Sequence, residues 1–576
     1  MTLPSSRVWP HAAGNHQGRF SSEYALDMLT TVSSEGSTSM TTMSNVAAEY
    51  RQAGYRASGL WTEDRIGDLV RSRAARYPDR ELFCFEGRRV TYREFDGWTT
   101  AVAADLVRRG VRPGDRVLVQ LPNCLEALVL QVAAFRIGAI DVPVVPIYRE
   151  HEMRRILADC RPAAVVAAAE LSPRRPAEEF DGLLAEMGHQ PAVRYIVGDH
   201  RDGWEQVTAD AGDGFELPEP LPASAPALLL YTSGTTSAPK GALLTGQALY
   251  AHMRNFQEAL GAGQQTVTLA ATPLSHLGGF IAGVIFPAFL GGRSIIMRGW
   301  KPDEAVSLIE DERVSLMMGA TVFVSDLVER YERGLAPRHR LPTYACAGAA
   351  IPGALVDRAA EVGVSVVRAY GMTETAGVCA IAAATDPLDR RRDWDGRVLR
   401  GMEIQAVDDN RRLLPLGSQG ELRIRGPQLL TRYTDQGLTE SQIDEDGWFY
   451  PGDVGRVDRW GWVQMTGRSK DIVNRGGEKF STMDIELALA SHPDIESAAV
   501  TAVPDARLGE GVGAWLVLAP GVTWQGPEKL IAHLEQEKLA KQKIPTQWHV
   551  IAAIPRTAAG KIQKHLLARV DDVVVQ

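Results

Sequence analysis

Cysteine is scarce in this chain: five residues in 576, at Cys84, Cys124, Cys160, Cys346 and Cys379. No CxxC pair occurs, the number is odd and the spacings are wide. A disulfide frame and a paired-cysteine zinc site are excluded, and buried free thiols in a reducing cytosol are expected. Long apolar runs are missing too. The longest, Leu277–Gly292, is broken by Pro287 and several glycines and is too short to span a bilayer. The N-terminus lacks a charged segment followed by an apolar run, so no signal peptide is expected and the expected compartment is cytoplasmic. Excess positive charge is absent: 62 Lys and Arg against 71 Asp and Glu leave a net −9. That argues against nucleic acid or an anionic membrane as partner. Lysine itself is rare. Only ten of the 62 basic residues are lysine, and eight of those ten lie beyond residue 469. Codon bias and a solvated surface account for most of this skew, but a lysine in an arginine-preferring chain also marks places where a planar guanidinium would not serve.

What is present reads as an ordinary globular protein. A hydrophobic fraction of 45% with 23% charged residues excludes a mostly disordered or collagen-like chain, and the length allows several domains around a large core. Residues 1–39 are rich in Ser, Thr, Gly and His and read as a disordered tail, or as the product of a misassigned start with Met40 or Met43 as the true one. The tail is expected to cover 1–45. From about residue 61 helix and strand patterns alternate. Thr91 and Glu94 form a capping box for a helix running toward Arg109, DRVLVQL (115–121) is a buried strand, 122–139 an apolar helix, 149–159 another helix and PAAVVAAA (162–169) a strand. Such alternation predicts parallel sheets covered by helices. Over 391–466 short strands between turns predict a small β-rich subdomain. A boundary is expected at 467–470, and an α+β unit follows.

The strongest chemical signal is YTSGTTSAPKG (231–241), directly after the apolar strand ALLL (227–230). A strand feeding a Gly/Ser/Thr loop places N–H groups and hydroxyls around an anion, and Lys240 adds a point charge suited to phosphate. It is not a Walker A loop, because Pro239 precedes the lysine and Gly241 follows it. Further motifs follow in order: CAGAA (346–350), YGMTE (370–374), GELRIRGPQLLTRY (420–433), GWFYPGDVGRVD (447–458), GRSKDIVNRGGEKFS (467–481) and PRTAAGKIQK (555–564).

On these motifs the chain, from about 60 to 570, resembles the acyl-adenylate-forming (AMP-binding) superfamily of acyl- and aryl-CoA ligases, peptide-synthetase adenylation domains and luciferases. The resemblance implies an α/β fold: a large multi-subdomain N-terminal domain with parallel sheets (46–466), a hinge (467–470) and a mobile C-terminal α+β lid domain (471–576). It implies ATP, Mg²⁺ and, as co-substrate, CoA. By resemblance Thr232, Ser233, Gly234, Thr235, Thr236 and Lys240 hold phosphates. Gly348, Ala349 and Ala350 lie along the adenine, which Tyr370 flanks beside Gly371. Thr373 contacts the α-phosphate, Glu374 holds Mg²⁺, and Asp453 accepts from the ribose hydroxyls with Arg468 beside it. Lys470 is the hinge residue, Gly476 and Gly477 approach the pantetheine arm, and Lys561 is the catalytic lysine.

ATPLSHLGGF (271–280) resembles the segment lining the acyl pocket, with His276 at a histidine or aromatic gate. Leu277 stands where amino-acid-activating members carry Asp, which argues against an amino acid recognised in the usual way. Gly278, Gly279 and Ala347–Ala350 are expected to leave room for the substrate. The expected acid is aryl, arylacrylic, alicyclic or medium-chain. Two departures, Thr245-Gly246 after the loop and GGEKFST after the hinge, leave the acceptor open: CoA, a carrier-protein thiol, an amine, or nitrite in diazo-type chemistry. An adenylate-binding scaffold without catalysis is the alternative of another class, and the joint presence of Lys240, Glu374, Asp453, Arg468 and Lys561 argues against it.

Overall fold

The computed structural model describes residues 40–207, 217–219, 221–232, 239–335, 341–348, 351–468, 471–475, 478–505, 509–537, 539–556, 562–567 and 573–575. The chain divides into two compact units, Met1–Gly54 and Tyr55–Gln576. The helix Met40–Ala57 holds every described residue of the first. It begins inside the stretch 1–45 expected to be a tail, because its Ala, Met, Gln, Glu and Arg content favours helix.

In the second unit the expected elements form. Thr91 Oγ1 accepts from Glu94 N at 3.2 Å, and Glu94 Oε2 accepts from Thr91 N at 2.8 Å, closing the capping box of the helix Tyr92–Arg108. The strand Ala164–Ala168 is buried along its whole length, as a central parallel strand must be. It belongs to an eight-stranded sheet. Its strands run in the spatial order Arg432–Tyr433, Lys240–Thr245, Pro226–Thr232, Ile140–Pro143, Arg116–Gln120, Ala164–Ala168, Val193–Val197 and Glu205–Gln206. The pairing is parallel from Pro226–Thr232 onward and antiparallel at the Lys240 end. A nine-stranded sheet, parallel at its centre, carries Thr343–Cys346 beside Ser365–Met372. The chain is therefore an α/β protein with a large N-terminal domain and a smaller C-terminal one.

Between them lies a four-stranded antiparallel sheet of Glu403–Val407, Gly420–Arg425, Asp453–Val457 and Val463–Arg468. Its last ladder is irregular. Gly455 pairs with Met465, but Val454 pairs with Gly467 and Asp453 with Arg468, so Thr466 is an extra residue in a β-bulge. The C-terminal sheet is built on the long pair Ile495–Asp505 and Gly509–Leu518, with Ile472–Arg475, Glu478–Ser481 and Gln547–Val550 alongside. It approaches the bulge closely. A Cβ on Gly467 (φ +153°) would lie 2.1 Å from Ser481 Oγ.

All five cysteines are buried and free. Burial pushes the thiols of Cys124, Cys160 and Cys346 up to about 12, which makes them inert. No helix among the described residues is long and apolar enough to cross a membrane.

Candidate active site

A cavity of about 530 Å³ opens where the sheets meet. Its walls bring together Thr232, Lys240, His276, Thr373, Glu374, Asp453 and Arg468 from the expected set. Thr232 and Lys240 are register partners at the open ends of two antiparallel strands. The residues joining them, including Ser233, Gly234, Thr235 and Thr236, lie outside the described residues, as do Ala349, Ala350, Lys470, Gly476, Gly477 and Lys561. The departure Thr245-Gly246 has a structural use: Thr245 Oγ1 accepts from Ala248 N at 3.1 Å and caps the helix Gly246–Leu260.

Tyr370 ends the buried part of the strand Ser365–Met372, and Gly371 follows where only glycine fits. A Cβ there would lie 2.2 Å from Gly377 O. Thr373, Glu374 and Thr375 then form a single tight turn. Thr375 Oγ1 accepts from Met372 N at 3.0 Å and donates to Gly377 O at 2.6 Å, which pins that turn. Gly348, at φ +89°, leaves the end of the neighbouring parallel strand, the side on which open α/β sheets bind ligands.

Asp453 is 2% exposed. Its Oδ2 accepts from the Tyr370 hydroxyl at 2.8 Å, and its Oδ1 lies 3.0 Å from Arg468 Nε as an ion pair. Oδ1 makes no hydrogen bond among the described residues, so this buried oxygen retains a lone pair for a ligand hydroxyl. Burial, then the Asp453 charge, pushes the Tyr370 phenol well above its usual range, so it stays a donor. The Asp453 charge likewise holds the Arg468 guanidinium above its ordinary value.

Glu374 is held by Leu430 and Tyr433, to which the motif GELRIRGPQLLTRY by itself gave no role. Its carbonyl accepts from Leu430 N at 2.7 Å, and its Oε1 accepts from the Tyr433 hydroxyl at 2.9 Å. Tyr433 is 1% exposed, and burial, then the Glu374 charge, pushes its phenol up. The only signal for it was its place at the end of GELRIRGPQLLTRY. Below the turn sits a second unanticipated group. Gln428 Nε2 donates to Val378 O at 2.9 Å, and its Oε1 accepts from Asn255 Nδ2 at 2.7 Å. His252 lies 3.5 Å from Gln428 and is packed so tightly that a Cβ on Gly377 would come within 2.7 Å of its ring.

Burial pulls His252 down to about 4. The folded chain keeps this imidazole neutral while the unfolded chain protonates it below ~6.5. Stability is then present above that pH and falls as pH drops toward 4, by roughly 3 kcal/mol in all. Denaturant unfolding at pH 7.5 and pH 5 should show a steeper loss for the native chain than for His252→Gln. Equal slopes would remove His252 as the cause.

His276 caps the short helix Leu277–Phe280. Its Nδ1 accepts from Gly278 N at 3.3 Å, which puts the proton of the neutral ring on Nε2. Gly279 does not leave room for substrate as expected. A Cβ there would lie 2.0 Å from Pro273 O, so its small size serves the turn. From the C-terminal domain the wall includes Arg556 and Gln563. These flank 557–561, which lie outside the described residues, and the chain on either side is tied by an Arg556–Ile562 bridge and a Gln563 N to Pro555 O hydrogen bond of 2.8 Å.

Among the described residues no cluster of three or more His, Cys, Asp or Glu could hold a metal. Glu374, in a cavity that also presents Thr232, Lys240 and Thr373 for phosphates, does fit Mg²⁺, which takes one or two carboxylates and completes its shell with phosphate oxygens and water.

The motifs and this geometry agree with comparisons to known proteins. A model of the AMP-binding enzyme family matches residues 70–434, and one of the AMP-binding enzyme C-terminal domain matches 484–561. The medium-chain fatty-acid–CoA ligase of Escherichia coli K12 is 35% identical over 90% of this chain and 93% of its own. ATP-bound MatB from Rhodopseudomonas palustris superposes with a TM-score of 0.77 at 27% identity, covering 87% of this chain and 98% of its own. O-succinylbenzoate coenzyme A synthetase (MenE) from Bacillus subtilis, in complex with ATP and magnesium ion, gives 0.76 at 25% identity, with 88% and 100% covered. A chain matched by both models, and aligned over nine-tenths of its length with a CoA ligase, belongs to the AMP-binding enzymes, as an ATP-binding, AMP-forming acid–thiol ligase.

Proposed function

We propose that the cavity converts a small carboxylic acid to its acyl-AMP with release of pyrophosphate, and that the acyl group then passes to the thiol of CoA. One observation carries this reading. A single cavity joins the Thr232/Lys240 strand ends, the Glu374 turn, the Asp453–Arg468 pair and an apolar end at Leu277 beside His276. ATP lies with its ribose hydroxyls on Asp453 Oδ1, which makes no hydrogen bond among the described residues, and on Arg468, and with its phosphates toward Thr373, Thr232 and Lys240. Glu374 holds Mg²⁺, which neutralises phosphate charge when bound. Carboxylate and phosphate at ~4 Å repel by ~4 kcal/mol at an effective dielectric of 20, so cationic groups at this point lower the barrier directly. Lys561 bridges the carboxylate and the α-phosphate and holds them in line. A flexible arm with a compact charge suits that task better than an arginine fork.

In the second step the lysine has to leave so that a thiol can enter. The boundary at 467–470 is the pivot for the small domain, with Lys470 in it, and the family resemblance assigns Gly476 and Gly477 to the pantetheine arm. His276, whose Nε2 carries the proton, stands at the thiol side. The acid is aryl, arylacrylic, alicyclic or medium-chain, and the likeness to the E. coli enzyme supports the medium-chain end of this range. ATP–pyrophosphate exchange over a panel of such acids, with and without CoA, tests the reading. Acid-stimulated exchange together with CoA-dependent AMP release is expected. Exchange without CoA-dependent release would replace CoA by a carrier-protein thiol, an amine or nitrite. No stimulation by any acid would overturn adenylation itself.

A further inference from the structure

We propose that Tyr433 is a positioning residue for the metal-holding carboxylate, and that residues 430–434 form a clasp locking Glu374 to the strand that carries Lys240. The proposal rests on the reading of Glu374 as the Mg²⁺ residue and goes beyond it. The clasp grips both sides. Toward the strand, Thr431 N donates to Leu243 O at 2.9 Å and Thr434 N to Gly241 O at 2.8 Å, while Arg432 and Tyr433 pair with Leu243 and Ala242. Gly241 is required for the approach, since a Cβ there would lie 2.7 Å from Thr434 Oγ1. Toward the turn, Leu430 N holds the Glu374 carbonyl and the Tyr433 hydroxyl holds Oε1. Tyr433 is itself fixed, by burial and by its backbone N–H donating to Thr439 Oγ1 at 3.0 Å.

Among the described residues only one oxygen of the Glu374 carboxylate is hydrogen-bonded. Among the described residues Oε1 has the tyrosine as its partner, and no hydrogen bond to Oε2 is formed. A carboxylate with one oxygen pinned by a rigid donor cannot rotate freely, and its other oxygen is presented in one orientation. Partners of this kind typically change metal affinity 10–100-fold when removed. The arrangement also fixes the spacing between the carboxylate and the Lys240 strand through main-chain bonds, so the two phosphate-directed charges move as one body.

Tyr433→Phe keeps the ring and removes the hydroxyl. Mn²⁺ binding, followed by electron paramagnetic resonance with an ATP analogue methylene-bridged between the α- and β-phosphates, should weaken about tenfold. The Mg²⁺ concentration for half-maximal pyrophosphate exchange should rise in parallel, with the ATP KM at saturating Mg²⁺ little changed. Loss of activity or thermal stability with unaltered Mn²⁺ affinity would show a purely structural tyrosine and overturn the proposal. Should the Phe chain fail to fold, site-specific 3-fluorotyrosine at 433 alters the donor at nearly constant shape. An unchanged Mn²⁺ affinity would then overturn the proposal equally. Glu374→Gln separates the two levels. If it leaves Mn²⁺ binding at the native value, the metal reading falls and the positioning role with it. If native chain binds Mn²⁺ and both variants weaken it while no acid supports exchange, the clasp stands and only the adenylation reading fails.

Discussion

Lys561→Ala is expected to lower acid-dependent ATP–pyrophosphate exchange by at least ~10²-fold, the scale of one lost charge-stabilising donor in a transition state. Thioester formation from synthetic acyl-AMP and CoA should stay near the native rate. The asymmetry follows from the chemistry of the two steps. In the first, two anions must be brought together, and a cation between them lowers the barrier. In the second, a mixed anhydride with a single phosphate charge meets a thiol instead of a carboxylate, and a lysine left in place would obstruct it. The Arg556–Ile562 bridge is the structural reason to expect a specific loss, because Arg556 and Gln563, on either side of Lys561 in the sequence, lie in the cavity wall. Both half-reactions measured on the same preparation decide the matter. Equal loss in the two would refute the division of labour.

The second large effect is expected at Asp453. Asp453→Asn keeps the shape but removes the charge facing Arg468 and one acceptor of the Tyr370 hydroxyl–carboxylate–guanidinium group. Hydrogen bonds to charged groups contribute ~1.5–3 kcal/mol, so the ATP KM in exchange should rise roughly 10- to 100-fold. The KM for the acid should change little, because the acid lies at the His276 end. A rise confined to the acid KM would remove Asp453 from the nucleotide side. Thermal unfolding guards against a trivial outcome, since a buried ion pair deprived of one partner also destabilises the fold.

Much of the architecture was legible because it is written in local signals. A Thr-x-x-Glu pattern at 91–94 predicts a capped helix by chain-neighbour contacts alone, and the helix Tyr92–Arg108 begins there. The uninterrupted apolar run at 164–168 predicts a strand covered on both faces for the same reason. Seven residues expected to serve one site do line one cavity, because ordered motifs carry the order of the folds that hold them. What escaped is long-range. Tyr433 and Glu374 are 59 positions apart, and Asn255 and Gln428 are 173 apart. No periodicity or composition links such partners. Gly279 was misread for a related reason: a missing side chain looks the same whether it clears space for a ligand or for the Pro273 carbonyl. His252 gave no sign of its burial, since a helix face shows apolar spacing but not which polar residue the core encloses.

The bulge at Thr466 ties the nucleotide clamp to the domain boundary by simple parity. Side chains alternate along a strand, so the number of residues between the Val457–Val463 pair and the far end decides which face each one presents. Were Thr466 to take a rung of its own in the ladder, Asp453 would stand opposite Gly467, and Arg468 would turn to the other side. The inserted threonine restores the match between carboxylate and guanidinium at the last rung before residues 469–470. Phase, rather than any additional contact, thus couples the sugar-binding charges to the pivot. The strand is keyed, like a gear with one tooth added, to bring Arg468 round to the ligand where the two domains part.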